Sequence, residues 1–401
     1  MTARWLTILG IGEDGIEGLS PIARAHIKAA TLVVGGARHL ALADALIRGE
    51  RLAWPSPIEA AMPAILARRL VVVLASGDPY CYGVGSLLAR HVPVAETSCF
   101  PAPSAFSMAC ARLGWALQDC TTLSLCGRPI EALTPLLQPN ARVLALSADA
   151  ATPAAVARIL CARGFGGSAL HVLEAMGGPH ERIRATTAAA FDGRDVHPLN
   201  TLAIEVVAEP GARVVPLAAG LPDDAFEHDG QITKREVRAV TLSALAPRRG
   251  ELLWDIGCGS GSIGIEWMLR HPANRAIGVE EHPERASRAT RNAAEFGVPA
   301  HRVVHGAAPA ALAGLPQPHA VFIGGGAHEP GVLDAAWAAL LPDGRLVANA
   351  VTIESEAALL AARARLGGTL TRLSVERLDA VGRLHGYRPA MTVTQFVVVK
   401  P

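Results

Sequence analysis

One stretch limits the folds open to this chain more than any other. In LLWDIGCGSGSIGIEW, residues 252 to 267, a run of apolar residues stops at three glycines spaced two apart, Gly257, Gly259 and Gly261, and an apolar helical pattern follows at once. A buried strand that turns tightly into a helix, with no Cβ atoms at the turn, lets backbone approach a ligand closely. The rest of the chain has the same α/β grammar. LTILGIG, TLVVGG, LVVVLAS, TTLSLCG, RVLALSA, ALHVLEA and TLAIEVV alternate with alanine-rich helical stretches over the first 207 residues. Residues 209–230, rich in Pro, Gly and Asp and without a long periodic segment, read as a linker. Alternation then restarts: a helix from Thr233, strands at 251–256, 275–280, 302–305, 319–323 and 345–350, helices at 262–270 and 284–296, and a hairpin-like end, RPAMTVTQFVVVKP. Two α/β domains are expected, 1–208 and 231–401.

A dinucleotide fingerprint needs its third glycine three residues after the second, where helix and strand pack closely, and here that position is Ser262. The pattern is instead an acid inside the strand, Asp255, followed by GxGxG, the spacing associated with S-adenosylmethionine in Rossmann-like methyltransferases. That cofactor carries no pyrophosphate, so the turn need only let backbone approach its methionine and ribose. Glu280, 19 residues beyond Gly261 at the tip of the next strand, can accept hydrogen bonds from both ribose hydroxyls. Each bond to a charged group contributes about 1.5 to 3 kcal/mol.

Composition removes several function classes. A formal net charge of +1 over 401 residues lacks the basic excess that neutralises a phosphate backbone, so nucleic acid is not an expected partner. No apolar run approaches the roughly 18 residues that span a bilayer, and MTARWLTILGIG lacks the apolar core and cleavage site of a secretory leader. Membrane insertion is therefore not expected, and the expected location is the cytoplasm. Seven cysteines without CxxC spacing argue against a disulfide framework and a structural zinc site, and no metal is expected. Cys258, inside the glycine turn, is either a thiol activated at a helix N-terminus or a small filler, and the filler reading is preferred.

The C-terminal part, from GLPDDAFEHDGQITKREVRAVTLSALAPRRGELLWDIGCGSGSIGIEW through VFIGGG to LPDGRLVANAVTIESE, closely resembles the decarboxylating precorrin methyltransferases of cobalamin biosynthesis. In that family the segment matching QITKREVRAVTLS carries a threonine that helps close over S-adenosylmethionine, here Thr233, and the VFIGGG strand end lies beside the substrate. The first 207 residues resemble a second, unrelated class, the tetrapyrrole methylases. LGIGEDGIEGLSPIARAHIKAATLVVGG matches their opening strand and loop, LASGDPYCYG their SGDP signature, PAPSAFSMACARLGW their loop and helix, and SLCGR a late strand end. The resemblance implies a two-lobed tetrapyrrole methylase (class III) fold followed by a Rossmann-like class I methyltransferase fold. It also implies two S-adenosylmethionine sites per chain. The first would use Gly10, Gly12, Ser76, Gly77, Asp78, Pro79 and Ser104; the second would use Thr233, Asp255, Gly257, Cys258, Gly259, Ser260, Gly261, Glu280 and Ala307. Asp78 either touches the cofactor or forms the turn before Pro79, and the turn-forming role is favoured. Ala307 stands where many class I methyltransferases place an acid for the adenine amine, which leaves backbone groups to make that bond.

In this order the two modules resemble the fused enzymes of the aerobic vitamin B12 route. The implied chemistry is methylation of a precorrin at C5 by the first module, and C15 methylation with loss of carbon dioxide from the C12 acetate by the second. The alternative is a single-site corrinoid methyltransferase, acting on a cobalt-containing precorrin, whose other module only handles substrate. A homo-oligomer, dimer or tetramer, is the implied assembly. Methyl transfer from a sulfonium rests mainly on positioning, which is consistent with the absence of any Ser/His/Asp constellation. Decarboxylation needs an electron sink, which the conjugated macrocycle provides, and a dry pocket. His328 and Glu329, directly after GGGA, and Asn349 and Thr352, at the next strand end, are candidates for proton donation or acetate orientation; helix capping by His328 and strand termination by Asn349 are the competing roles. Arg38, Arg235 and Arg383 are the candidate partners for substrate carboxylates.

Overall fold

The computed structural model describes residues 4–401. The chain divides into two compact units, the first running through Ile130 and again from Gln138 to Arg213, the second taking Glu131–Leu137 and Val214–Pro401. Part of the expected linker packs into a core: Val215, Leu221 and Phe226 are buried in the second unit with Leu242, Ile263 and Trp267. A Pro- and Gly-rich segment without periodicity conceals such packing because its apolar residues serve one by one.

The first unit carries two five-stranded sheets. One is wholly parallel, in the order β3-β2-β4-β1-β5, from β1 (Leu6–Ile11), β2 (Leu32–Gly35), β3 (Glu50–Ala53), β4 (Val71–Ser76) and β5 (Thr97–Phe100). Its central strands are buried on both faces, with Leu6, Ile8, Val71 and Val73 in one cluster and Leu9, Ile11, Val72 and Leu74 in another. Continuous apolar runs such as LVVVLAS are what such strands require. The second sheet is mixed, in the order β6-β7-β10-β8-β9, from β6 (Cys120–Ser124), β7 (Arg142–Leu146), β8 (Ala169–Glu174), β9 (Arg182–Thr187) and β10 (Asn200–Glu205).

The second unit is built on one seven-stranded sheet, β13-β12-β11-β14-β15-β19-β16. Its strands are β11 (Leu252–Ile256), β12 (Arg275–Glu280), β13 (Arg302–His305), β14 (Ala320–Ile323), β15 (Arg345–Ala350), β16 (Thr369–Leu373) and β19 (Val393–Val399). The first five are parallel and β19 is antiparallel to both neighbours. Strand order reverses between β11 and β14, and ligands bind outside the carboxyl ends of strands at such a switch point. The terminal segment, expected to close a hairpin with itself, instead inserts β19 into the sheet; the hairpin lies upstream, as β17 (Glu376–Val381) and β18 (Leu384–Pro389).

Every strand absent from the apolar runs is a sheet edge or part of that exposed hairpin. β3, β5, β9 and β16 are all edges. Half-exposed edge strands carry polar and charged residues, which suppress the apolar signal. Among the described residues no helix is long and apolar enough to cross a membrane.

Candidate active sites

Each unit has a cavity at the carboxyl ends of its parallel strands. In the second unit β11 delivers Asp255 and Ile256 to the glycine turn, and Gly257, Gly259 and Gly261 all adopt left-handed φ, at +70°, +54° and +77°. A Cβ on Gly257 would lie 3.1 Å from the backbone nitrogen of Gly325, in the VFIGGG loop after β14. The two loops that flank the switch point therefore meet backbone to backbone. The helix that follows (Ser262–Leu269) starts directly at the turn, with Gly261 as its N-cap.

Glu280, 4 % exposed, ends β12 and braces the turn: its Oε2 accepts the Gly259 N–H at 2.9 Å and its Oε1 accepts the His282 N–H at 3.1 Å. Each carboxylate oxygen has a second lone pair for a ligand hydroxyl. Asp255 is buried; Oδ2 accepts the Gly264 N–H at 3.0 Å and Oδ1 has no partner. Burial pushes its carboxyl up to about 7, opposed by the Gly264 bond and reinforced by the Glu280 charge. Cys258 is buried and its thiol is pushed well above the ordinary range by burial, then by Asp255 and Glu280, which supports the filler role.

The cavity, about 780 Å³, is lined by Thr233, Asp255, Gly257, Cys258, Gly259, Ser260, Glu280, Ala307, His328, Glu329 and Asn349. Gly261 is not among the lining residues and packs against Ala289 instead. His328 Nδ1 lies 3.0 Å from Ser355 Oγ and its Nε2 lies 3.3 Å from Glu329 Oε1. Thr352 caps the next helix by accepting the Ser355 N–H. Asn349 belongs to a polar triangle: its Nδ2 donates to Thr241 Oγ1 at 3.0 Å, and Gln395 Nε2 donates to Asn349 Oδ1 at 3.0 Å and to Thr241 Oγ1 at 3.1 Å. An amide has two N–H donors, so one of Asn349's remains for a ligand.

Arg235 and Arg383 are exposed and line neither cavity, whereas Lys234, Arg285 and Arg377 do line this one. Sequence reasoning also missed Arg238 and Glu266, both fully buried. Arg238 Nε donates to Glu266 Oε1 at 2.6 Å, while Glu266 accepts the N–H groups of Gly220 at 2.7 Å and Leu221 at 2.9 Å. Arg238 also donates to the carbonyls of Leu221 and Thr233. This ion pair fixes the segment that leads to Thr233 at the cavity wall. The available signal was a charge inside each apolar stripe, Arg238 beside Thr241, Leu242 and Leu245, and Glu266 within SIGIEWML.

In the first unit β1 and β4 run side by side, with Ile11 opposite Ser76. A Cβ on Gly10 would lie 1.9 Å from the Gly77 carbonyl oxygen and 2.5 Å from the Ala102 nitrogen, so the strand ends converge at a point only glycine can occupy. Asp78 Oδ1 accepts the Tyr80 N–H at 2.8 Å, the turn-forming geometry. Ser104 caps its helix by accepting the Ser107 N–H at 3.1 Å. A cavity of about 360 Å³ is lined by Gly12, Arg38, Ser76, Gly77, Asp78 and Ser104, while Gly10 and Pro79 stand behind it. The corner around Arg38 also holds Glu13 and His39.

Comparisons with known proteins agree with the division into two modules. Residues 6–192 match the model for tetrapyrrole (corrin/porphyrin) methylases, and residues 224–400 match that for a precorrin methyltransferase domain. A protein of Pyrobaculum calidifontis named probable cobalt-precorrin-6B C(15)-methyltransferase (decarboxylating) is 40% identical over 172 residues, covering 41% of this chain and 87% of its own length. One of Salmonella typhimurium named cobalt-precorrin-7 C(5)-methyltransferase is 37% identical over 183 residues, covering 44% of this chain and 88% of its own. A Sinorhizobium protein named precorrin-6Y C(5,15)-methyltransferase (decarboxylating) is 59% identical over 394 residues, covering 98% of this chain and 95% of its own. With near-complete coverage of both chains at that identity, this chain belongs to the family of decarboxylating precorrin-6Y C(5,15)-methyltransferases.

Proposed function

We propose that the chain methylates a precorrin macrocycle at C5 and C15 and removes the C12 acetate carboxyl as carbon dioxide, with C5 methylation in the first unit and the other two steps in the second. The observation that carries this reading is the presence of two independent cavities, one per unit, each at the carboxyl ends of parallel strands and each opened by glycine turns. The relatives named for C(5) and C(15) chemistry each match less than half of the chain, in keeping with one reaction per unit.

The second site suits S-adenosylmethionine. Glu280 keeps lone pairs for ribose hydroxyls, the turn presents backbone without Cβ atoms, and the buried Ser260 Oγ has no protein partner. The cofactor, when bound, supplies the methyl group on its sulfonium. The protein's residues position and desolvate: Asn349 holds the acetate carboxylate through its remaining N–H, and His328, oriented by Ser355 and Glu329, delivers the proton to the carbon from which carbon dioxide leaves. Lys234 and Arg377 face the other substrate carboxylates. In the first unit the backbone at Gly12 and Gly77 would hold a second cofactor, and Arg38 would meet a substrate carboxylate there.

The reading extends to a cytoplasmic homo-oligomer. Seven unpaired cysteines suit a reducing compartment, and Leu378, Leu384 and Tyr387 are exposed on the hairpin. Mass spectrometry of the product tests the central claim: two methyl groups gained and one carbon dioxide lost is expected. A product with one added methyl group would favour the single-site alternative. His328→Gln should slow carbon dioxide release while leaving cofactor affinity unchanged; unchanged release removes His328 from the mechanism.

A further inference from the structure

The corner of the first cavity gathers four polar side chains that the glycine turns do not need: Glu13, Arg38, His39 and Ser76. Arg38 Nη2 donates to Ser76 Oγ at 2.9 Å and to His39 Nε2 at 2.9 Å, Ser76 Oγ lies 2.8 Å from the same ring nitrogen, and Arg38 Nη1 pairs with Glu13. A guanidinium only donates, so Nε2 is the accepting nitrogen and the proton of the neutral ring sits on Nδ1, a buried atom without a partner. An unprotonated imidazole nitrogen is thereby held at the end of β4, beside the Gly77 turn.

The proposed reaction needs such a nitrogen. When a CH carbon of the conjugated macrocycle attacks the sulfonium methyl, a carbon–carbon bond forms and the C–S electron pair goes to sulfur. The attacking ring carbon then bears both hydrogen and methyl. Conjugation returns when its proton leaves and the C–H electron pair re-enters the π system, so an acceptor must stand close by.

The other groups at the cavity are committed elsewhere. Glu13 is engaged by Arg38, and Asp78 accepts the Tyr80 N–H. Cys126 donates to the Ser147 carbonyl at 3.2 Å and Tyr82 to the Thr122 carbonyl at 3.3 Å. The Cys81 thiol is pushed up by burial and then by Asp78. Among the described residues lining this cavity His39 is the only imidazole.

We propose that His39 accepts the proton released in the first unit's methylation, and that Arg38 gates it: a substrate carboxylate drawn to Arg38 lifts the guanidinium off Nε2 and leaves Ser76 Oγ, whose hydroxyl can rotate away, as that nitrogen's remaining neighbour. The inference rests on the assignment of C5 methylation to this unit. Burial, and then the Arg38 charge, push His39 down to about 4, so the ring is neutral at neutral pH. Neutralising Arg38 raises its basicity toward the range where a general base works best.

The test uses the full chain with S-adenosylmethionine and precorrin. His39→Ala should slow C5 methylation by about 10²-fold or more. Added imidazole should restore it in proportion to free base, and calorimetric cofactor affinity should stay within about threefold. Arg38→Gln should raise KM and move the acid limb of the C5 rate profile to higher pH, because a positive neighbour of the ring is gone. By NMR, the His39 ring should titrate at higher pH once substrate is bound. The proposal is overturned if His39→Ala keeps its C5 rate, if imidazole fails to rescue it, or if cofactor affinity falls in parallel with rate. A wild-type chain that never adds the C5 methyl group would instead sink the assignment of the reaction to this unit.

Discussion

The two cavities meet one requirement, backbone access for a ligand at strand ends, by opposite means. In the second unit the cradle is one contiguous strand, turn and helix, completed by two buried carboxylates, Asp255 and Glu280, on adjacent strands. In the first unit it is assembled from strand ends far apart in sequence, Gly10, Gly77 and Ala102, that press together until no side chain fits between them. A site made by side chains fails when one is removed, and a site made by backbone fails when one is added.

The largest effect should come from Arg238→Ala. It strands the Glu266 carboxylate without its cation in a fully buried position, a loss of about 3–5 kcal/mol. Denaturant unfolding should show that loss in the second unit, with C15 methylation and carbon dioxide release failing before C5 methylation. Gly10→Ala should strike the first unit alone. Overpacking typically costs about 1–3 kcal/mol, and here both nearest atoms are backbone and cannot swing away. The product should then lack the C5 methyl group; an unimpaired C5 rate would show that the strand ends tolerate a side chain. Glu280→Gln should weaken cofactor binding in the second unit by roughly 10- to 100-fold, the loss of one bond to a charged acceptor. Calorimetry that still finds two tight sites in Glu280→Gln would mean that this cradle, too, is made by backbone.

That contrast decides what could be read from sequence. The second site was legible because its parts are consecutive or lie at strand tips with a fixed offset, as Asp255, the three glycines and Glu280 do. The ring of cations was not. Lys234, the extended N-cap residue, lines the cavity, whereas Arg235, the first residue of the helix, is exposed and does not, because the backbone changes from extended to helical between the two. Arg383, in the hairpin turn, was selected where Arg377, at the hairpin's base, lines the cavity. In the first unit the SGDP motif located the turn, but Glu13, His39 and Ser76 meet only through tertiary folding, and no local spacing signals their contact. The ion pair of Arg238 and Glu266 had a signal, two charges where periodicity demands apolar residues.

The smallest effect is a pair of opposed slopes that nearly cancel. His301 lies beneath the second glycine turn, buried and without a hydrogen-bond partner on either ring nitrogen, and burial pushes it down to about 4. Asp255 and His301 both face the position where a Cβ on Gly264 would stand, 2.5 Å from His301 Nε2 and 3.3 Å from Asp255 Oδ2. The Asp255 carboxyl sits at about 7. Between pH 4 and 6.5 the folded chain holds the Asp255 proton that the unfolded chain has lost, so this group makes stability fall as pH rises. Over the same window the unfolded chain protonates His301 and the folded chain does not, so this group makes stability rise with pH. Each slope is at most about 1.4 kcal/mol per pH unit, and their sum is close to zero. Asp255→Asn should leave the His301 slope exposed, with stability rising through the window; His301→Gln should leave the Asp255 slope, with stability falling. Urea unfolding at several pH values reads both signs. His39 in the first unit is also pushed down to about 4, and its slope should appear in the first unit's unfolding in the unmutated chain. If the second unit's stability stays flat across the window in both single variants, the buried pair does not titrate as its surroundings require, and the second cradle is less dependent on charge than its two carboxylates imply.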